Sequence, residues 1–247
     1  MKHYWINIDE SKFRYDFMTK QFKEQEIENY RISAETPSSI SKYTIKKNEK
    51  SQSTHEEYSC ILSHIKAIQK GYDDGDEYFC VMEDDVVIRK ICFDKFINII
   101  KDFEQKENEE IGIVQLYISS NQGIVELYNK FVETKQILSK RKEKIYPSAG
   151  YYLISRTYAK MLLDKLKIND MHFDLSQTDF CVADNILYMF GTTYILNYPI
   201  VVSNIDCGSI LHPTHLIHHK NANDIIERIW KINDCFHIFN YTNRKEK

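Results

Sequence analysis

The stretch YFCVMEDDVVI, residues 78–88, decides the fold. Tyr78 to Met82 is a short apolar run of the kind that forms a buried strand, and it ends in three consecutive carboxylates, Glu83, Asp84 and Asp85, before turning apolar again. In an open parallel sheet, ligands bind beyond the carboxyl ends of the strands, so an acidic triplet there stands where a site belongs. Adjacent carboxylates near a core repel one another, and burial penalises their charge unless a cation joins them. A divalent ion bridging to phosphates removes the conflict, because Mn²⁺ and Mg²⁺ take oxygen ligands and keep positions for substrate oxygens. Alternate residues of an extended chain share a face, which pairs Glu83 with Asp85. Asp85 is then the expected metal ligand, and Glu83 serves the metal or a ribose hydroxyl. The competing reading makes the triplet an exposed loop that caps the following helix.

Working outward, Thr54 and Glu57 carry capping-box spacing, and Tyr58, Ile61, Leu62, Ile65 and Ile68 recur at helical intervals, predicting a helix over 55–70 that stops at Gly71. Beyond the triplet, Phe93, Phe96, Ile97, Ile100 and Phe103 predict a second helix. IGIVQLYI and GYYLIS read as strands, RTYAKMLLDKL as a helix capped by Ser155, and ANDIIERIWKI as another helix. The chain opens with the strand HYWINI; Asp9 is expected to cap a helix with a Phe13, Phe17, Phe22 stripe, and YRISAET is a second strand. From there to about Ser53 the sequence is polar, Lys-rich and aperiodic, as expected of a mobile loop. Strands alternating with helices predict an α/β fold with a mostly parallel central sheet covered on both faces. No linker or repeat divides the chain, so a single domain over 1–247 is expected.

The composition excludes several classes. Lys plus Arg number 33 against 36 Asp plus Glu, a net charge of -3 that argues against a nucleic-acid partner. No apolar run approaches the roughly 18 residues of a membrane span, which leaves only peripheral membrane contact open. Cys60, Cys80, Cys92, Cys181, Cys207 and Cys235 contain no C-x-x-C pair and read as reduced core thiols of a cytoplasmic protein.

YSCILSHIKAIQKG followed by YFCVMEDDVVI resembles glycosyltransferase family 25, in which a Cys-x-x-Ser-His-x-x-Ala helix precedes a strand ending in Glu-Asp-Asp. YWINIDESKFRYDFM is similar to the family's opening strand and following Arg, with Glu10 replacing the usual basic residue, and AGYYLISRTYAKMLLDKL and DFCVADNILY resemble its later segments. The similarity spans roughly residues 4 to 205. The resemblance implies a GT-A, Rossmann-like nucleotide-sugar-binding fold, a UDP-sugar donor with galactose favoured and glucose next, a Mn²⁺ or Mg²⁺ ion at the diphosphate, and transfer with inversion to a hydroxyl of a glycan or hydroxylated protein. It also implies that Asn7, Asp9, Ser11, Arg14, Ala34, His64, Glu83 and Asp84 contact the nucleotide sugar. Asp184 is its first choice for general base and Asp179 its second. His218 is favoured as a third metal ligand, narrowly over His215 and His219.

Read without the resemblance, these residues have plainer roles. His64 sits at helical spacing from Cys60 and suits packing, and Asp184 or Asp179 can cap or solvate a helix. His212, His215, His218 and His219 can form a surface loop. Tyr151 and Tyr152, after the small pair Ala149-Gly150, can stack on a sugar or fill the core. Asp73, Asp74, Asp76 and Glu77 lack EF-hand spacing and read as a solvated turn. Two other functions compete: a nucleotide-sugar-binding module without turnover, and a metal phosphohydrolase that would need two metal sites.

Overall fold

The computed structural model describes residues 1–89, 91–141, 146–207 and 216–234. The aromatic run at the start forms β1 (His3–Asn7), buried along its whole length. It pairs in parallel with β2 (Asn29–Ser33) on one side and β4 (Tyr78–Glu83) on the other. Across the sheet follow β8 (Tyr151–Ser155), β6 (Ile113–Gln115), β11 (Thr193–Leu196) and β7 (Leu138–Lys140). Five strands share one direction, while β8 and β7 run against it.

Side chains alternate across this sheet and sort the core into two layers. Tyr4, Phe79, Val81, Tyr152 and Ile154 cluster with the apolar stripes of α2 (His55–Asp74) and α5 (Arg156–Leu166). Trp5, Cys80, Met82, Tyr151 and Leu153 cluster with α1 (Lys12–Gln25), α3 (Phe93–Glu107), α4 (Asn121–Thr134) and α7 (Leu216–Ile232). The α/β class and the mostly parallel sheet with helices on both faces are as expected. The reversed β8 at its centre is a finding of the structure, since an apolar run carries no direction.

The capping box forms: the Glu57 amide donates to Thr54 Oγ1 (3.2 Å), and the Thr54 amide donates to Glu57 Oε2 (2.6 Å). The helix does not stop at Gly71. It runs on to Gly75, whose φ of 87° closes it in the left-handed region. Gly71 is there for packing, because a Cβ would lie 2.3 Å from the Phe79 ring. Asp73 and Asp74 therefore end the helix rather than form a turn; Asp74 accepts from Tyr4 Oη at 2.7 Å.

Other expectations are corrected. Ser11, not Asp9, stands at the N-cap of α1, and Asp9 is taken by Arg31 (2.5 Å) and Ser33 (2.9 Å). Phe13 is 63% exposed, and the buried face of α1 is Arg14, Met18, Gln21 and Phe22. The supposed mobile loop contains a 3₁₀ turn (Ser39–Lys42) and β3 (Thr44–Lys47). β3 pairs in parallel with β10 (His172–Leu175), which pairs antiparallel with β9 (Lys167–Asn169). Tyr151 and Tyr152 are fully buried, so neither stacks on a sugar. After the acidic triplet, β5 (Val86–Ile88) pairs antiparallel with β12 (Val201–Ser203). Near Asp184 the chain forms only a single helical turn, α6 (Ala183–Ile186). Cys60, Cys80, Cys92, Cys181 and Cys207 are free thiols, and Cys235 lies outside the described residues. Among the described residues no helix is long and apolar enough to cross a membrane.

His3 gives the fold a pH dependence away from any cavity. Its ring is fully buried, with Nε2 2.8 Å from Tyr151 Oη and an edge contact to Phe93 at 4.6 Å. Burial lowers its pKa from 6.5 to about 3. A histidine held neutral in the fold and protonated when unfolded loses stability as pH falls below 6.5. Urea unfolding is expected to show a loss of about 2 kcal/mol between pH 7.5 and pH 5 from this group alone. His3→Gln removes that slope while leaving the rest of the pH profile in place; an unchanged slope would refute the assignment.

Candidate active site

The acidic triplet sits where β4 ends, and its three carboxylates divide between two tasks. Asp84 is 5% exposed and turns inward, accepting from Asn7 Nδ2 (2.6 Å) and Arg14 Nη1 (2.5 Å). Arg14 also reaches Asp85 Oδ2 at 3.6 Å and donates to the Cys207 carbonyl at 3.3 Å. Arg31 donates to Asn7 Oδ1 (2.9 Å), so β1, β2, α1 and the triplet are tied together by polar groups. Main-chain bonds fix the turn that follows: the Asn204 amide donates to the Asp85 carbonyl (2.6 Å), and Gln21 bonds both Val86 O (3.0 Å) and Ile88 N (2.8 Å).

Glu83, the last residue of β4, and Asp85, in the turn after it, face cavity space, although the chain is no longer extended between them. Both border a cavity of about 650 Å³ lined also by Cys60, Tyr117, Ser148, Asp184, His218 and His219, and a smaller one of about 180 Å³ lined by Asn7, Arg14, Ala34, Glu35, Ser59 and His64. Cys60, Glu83 and Asp85 belong to both and form the wall between them.

The electrostatics single out this wall. Burial works against the Glu83 carboxylate, but the hydrogen bond and charge of His64 and the charge of Arg14 outweigh it and hold its carboxyl below the usual range. Burial, then the neighbouring Glu83 charge, pushes Asp85 up to about 7. Burial and Glu83 likewise raise Asp184. Among the described residues these carboxylates meet no cation equal to their joint charge, and they supply the oxygen donors that a hard divalent ion takes. Glu83 and Asp85 fit such an ion, and His218 and His219 of α7 line the same cavity.

Asp184 enters the large cavity from the first turn of α6. Its carboxylate accepts from the Ser148 amide at 2.9 Å. Its main-chain carbonyl is held by Arg141 Nη2 (3.0 Å), whose Nε donates to Gln115 Oε1 (2.9 Å) and whose guanidinium lies 4.1 Å above the Tyr188 ring. Gln115 in turn donates to Ser148 O at 2.7 Å. The loop carrying Asp184 is thereby fastened to the central sheet.

The sequence-predicted residues separate cleanly. Asn7, Arg14, Ala34, His64, Glu83 and Asp84 line the small cavity. Asp9 and Ser11 do not line it, Asp9 being engaged with Arg31 and Ser33. Asp184 lines the large cavity; Asp179 is exposed and outside it. His218 and His219 both line it, and His219 Nδ1 lies 3.0 Å from Tyr117 Oη with the rings stacked. His212 and His215 lie outside the described residues. Lys220 is exposed. His64 is fully buried, its two ring nitrogens meeting Tyr152 Oη (3.1 Å) and Glu83 Oε1 (3.3 Å). Missed from the sequence were Tyr117, Ser148, Gln115 and Arg141, and the Ser119–Asn121 rim at the start of α4, where Ser120 accepts from the Gly123 amide. Only the last had a signal, the Ser preceding an amphipathic run.

A family model described as glycosyltransferase family 25 (LPS biosynthesis protein) matches residues 1–177. The chain belongs to this family and is a glycosyltransferase, an enzyme class that moves a sugar from a nucleotide-sugar donor to an acceptor. No match was found among curated proteins. Among solved structures, a UDP-glucose pyrophosphorylase complexed with UDP-glucose aligns over 92% of this chain and 98% of its own, at 11% identity and a TM-score of 0.36.

Proposed function

We propose that the chain, as one GT-A domain, transfers a hexose, galactose first and glucose next, from a UDP-sugar to a hydroxyl of a glycan or hydroxylated protein, with inversion. The observation that carries this is the shared wall: Glu83 and Asp85 stand between a small cavity suited to the nucleotide and a large one suited to sugar and acceptor. Asp85, Glu83 and one histidine of α7, His218 or His219, would hold Mn²⁺ or Mg²⁺. Such an ion supplies Lewis-acid stabilisation of the diphosphate leaving group.

The chain's own residues do the rest. Arg14 and Asn7 fix the triplet in place, and Ala34 leaves room beside the end of β2 for a planar base. Asp184 takes the proton of the acceptor hydroxyl as that oxygen attacks the anomeric carbon from the face opposite the diphosphate. A carboxylate whose pKa is raised by burial is a stronger base than one in water. Its carboxylate is oriented by the Ser148 amide, and its loop by Arg141.

The test is release of UDP from a panel of UDP-sugars with Mn²⁺, with and without candidate acceptors, in wild type and Asp184→Asn. Turnover with one donor is expected, with kcat in the variant lower by roughly 10²- to 10⁴-fold and donor KM little changed. UDP binding without turnover under any acceptor would favour the binding-module reading. Inorganic phosphate release would favour a phosphohydrolase.

A further inference from the structure

The wall between the cavities brings together side chains of a second chemistry. Cys60 and His64 are four residues apart on α2 and so lie on one face of it. Glu83, at the end of β4, meets both: its Oε1 is 3.8 Å from Cys60 Sγ and 3.3 Å from His64 Nε2. One ligand atom from each of the three lies within 4.8 Å of the other two. Around a tetrahedral Zn²⁺, with Zn–N about 2.0 Å and Zn–S about 2.3 Å, ligand atoms stand roughly 3.3–3.7 Å apart. The two separations through Glu83 are close to those edges, and side-chain rotation that shortens the third, which is within 4.8 Å, closes the set on an ion.

We propose that Cys60, His64 and Glu83 form a three-ligand site for a borderline-soft divalent cation, with Zn²⁺ the ion that fits, and that its occupancy inhibits transfer. The inhibitory half rests on the function proposed above; the binding half does not. A thiolate with an imidazole discriminates against Mn²⁺ and Mg²⁺, which prefer oxygen, and so separates this site from the Glu83–Asp85 oxygen pair. The outer partner is present. Tyr152 Oη, 3.1 Å from His64 Nδ1, can accept a hydrogen bond from Nδ1–H when Nε2 turns to a metal, and can donate to Nδ1 when Nε2–H bonds Glu83. Binding breaks the Cys60 S–H bond, releasing that proton to solvent, and displaces the His64 Nε2 proton that bonds Glu83, which passes to Nδ1 or to solvent, while Glu83 is already a carboxylate. Two negative ligands then balance the ion's two positive charges. Zinc here also withdraws Glu83 from the oxygen pair, which is why transfer stops.

Titration of the reduced full chain with Co²⁺ tests the site without reference to activity. Wild type is expected to develop the strong visible bands of four-coordinate cobalt together with a near-ultraviolet thiolate-to-cobalt charge-transfer band, both erased by stoichiometric Zn²⁺. Cys60→Ser should lose the charge-transfer band while its circular dichroism matches wild type, and Glu83→Gln should weaken Co²⁺ binding by tenfold or more. Absence of the band in wild type, or an undiminished band in Cys60→Ser, overturns the site. Zn²⁺ inhibition of UDP release should weaken by at least tenfold in Cys60→Ser, and equal sensitivity overturns the inhibitory half. If no UDP-sugar turns over, the function proposed above fails while the cobalt spectra still decide the site.

Discussion

Asp85→Asn is expected to lower kcat/KM for the UDP-sugar by roughly 10³-fold, and EDTA treatment of wild type should do the same. The substitution keeps the shape of the side chain and removes the charge that would face a cation. It should leave stability nearly intact or raise it, because Asp85 is a carboxylate whose charge is disfavoured by burial and by Glu83. The expected signature is thus a large kinetic loss without a fall in melting temperature. Steady-state UDP release paired with a thermal melt reads both. A variant within tenfold of wild type at saturating Mn²⁺ would remove Asp85 from the metal site.

Arg14→Leu should give the opposite signature. The Arg14–Asp84 pair is nearly inaccessible, with side-chain exposures of 8% and 7%, and removing Arg14 leaves a buried charge that, among the described residues, has the Asn7 amide to receive it. Breaking such a pair costs about 3–5 kcal/mol. In a chain of this length that lowers the melting temperature by about 10 °C. Adding Asp84→Asn removes the stranded charge and is expected to recover a large part of the loss, since neighbouring changes of this kind are not additive. A single variant that melts within 2 °C of wild type would show that Asp84 finds its stabilisation elsewhere. Together the two variants test whether the triplet is divided between structure and chemistry, as its geometry indicates.

What the sequence disclosed followed from how local each signal was. The capping box before α2 and the β4 run with its acidic end involve residues within a few positions of one another, and both stand as read. Asp9 was misread because a short acidic residue before a helix is a cap in most contexts, and only the neighbouring strand shows that Arg31 and Ser33 claim it. β3 has no apolar alternation, and only its partner β10, more than a hundred residues away, makes it a strand. The site divided in the same way. Glu83, Asp85 and His64 lie near one another in sequence and were legible, and the family pattern carried Asp184. Arg141, Gln115 and Ser148 act through contacts with residues far along the chain, and no spacing announces them.

The reversed strand has a consequence for how the molecule is made. β4 and β6 do not bond to each other; each bonds to β8, which the ribosome supplies only after both of them and after β7. Until Tyr151–Ser155 emerges, β2, β1 and β4 end at an open β4 edge, and β6 has neither of its neighbours, since β11 follows later still. Sheet completion therefore waits on two insertions, β8 between β4 and β6 and then β11 between β6 and β7, rather than proceeding by addition at one side. Non-local pairing of that kind folds slowly and leaves strand edges open to other chains in the meantime. The same late strand is what brings β6, and with it Gln115 and the Asp184 loop, up to the acidic end of β4. The joining of β4 to β6 and the framing of the candidate site come into being together.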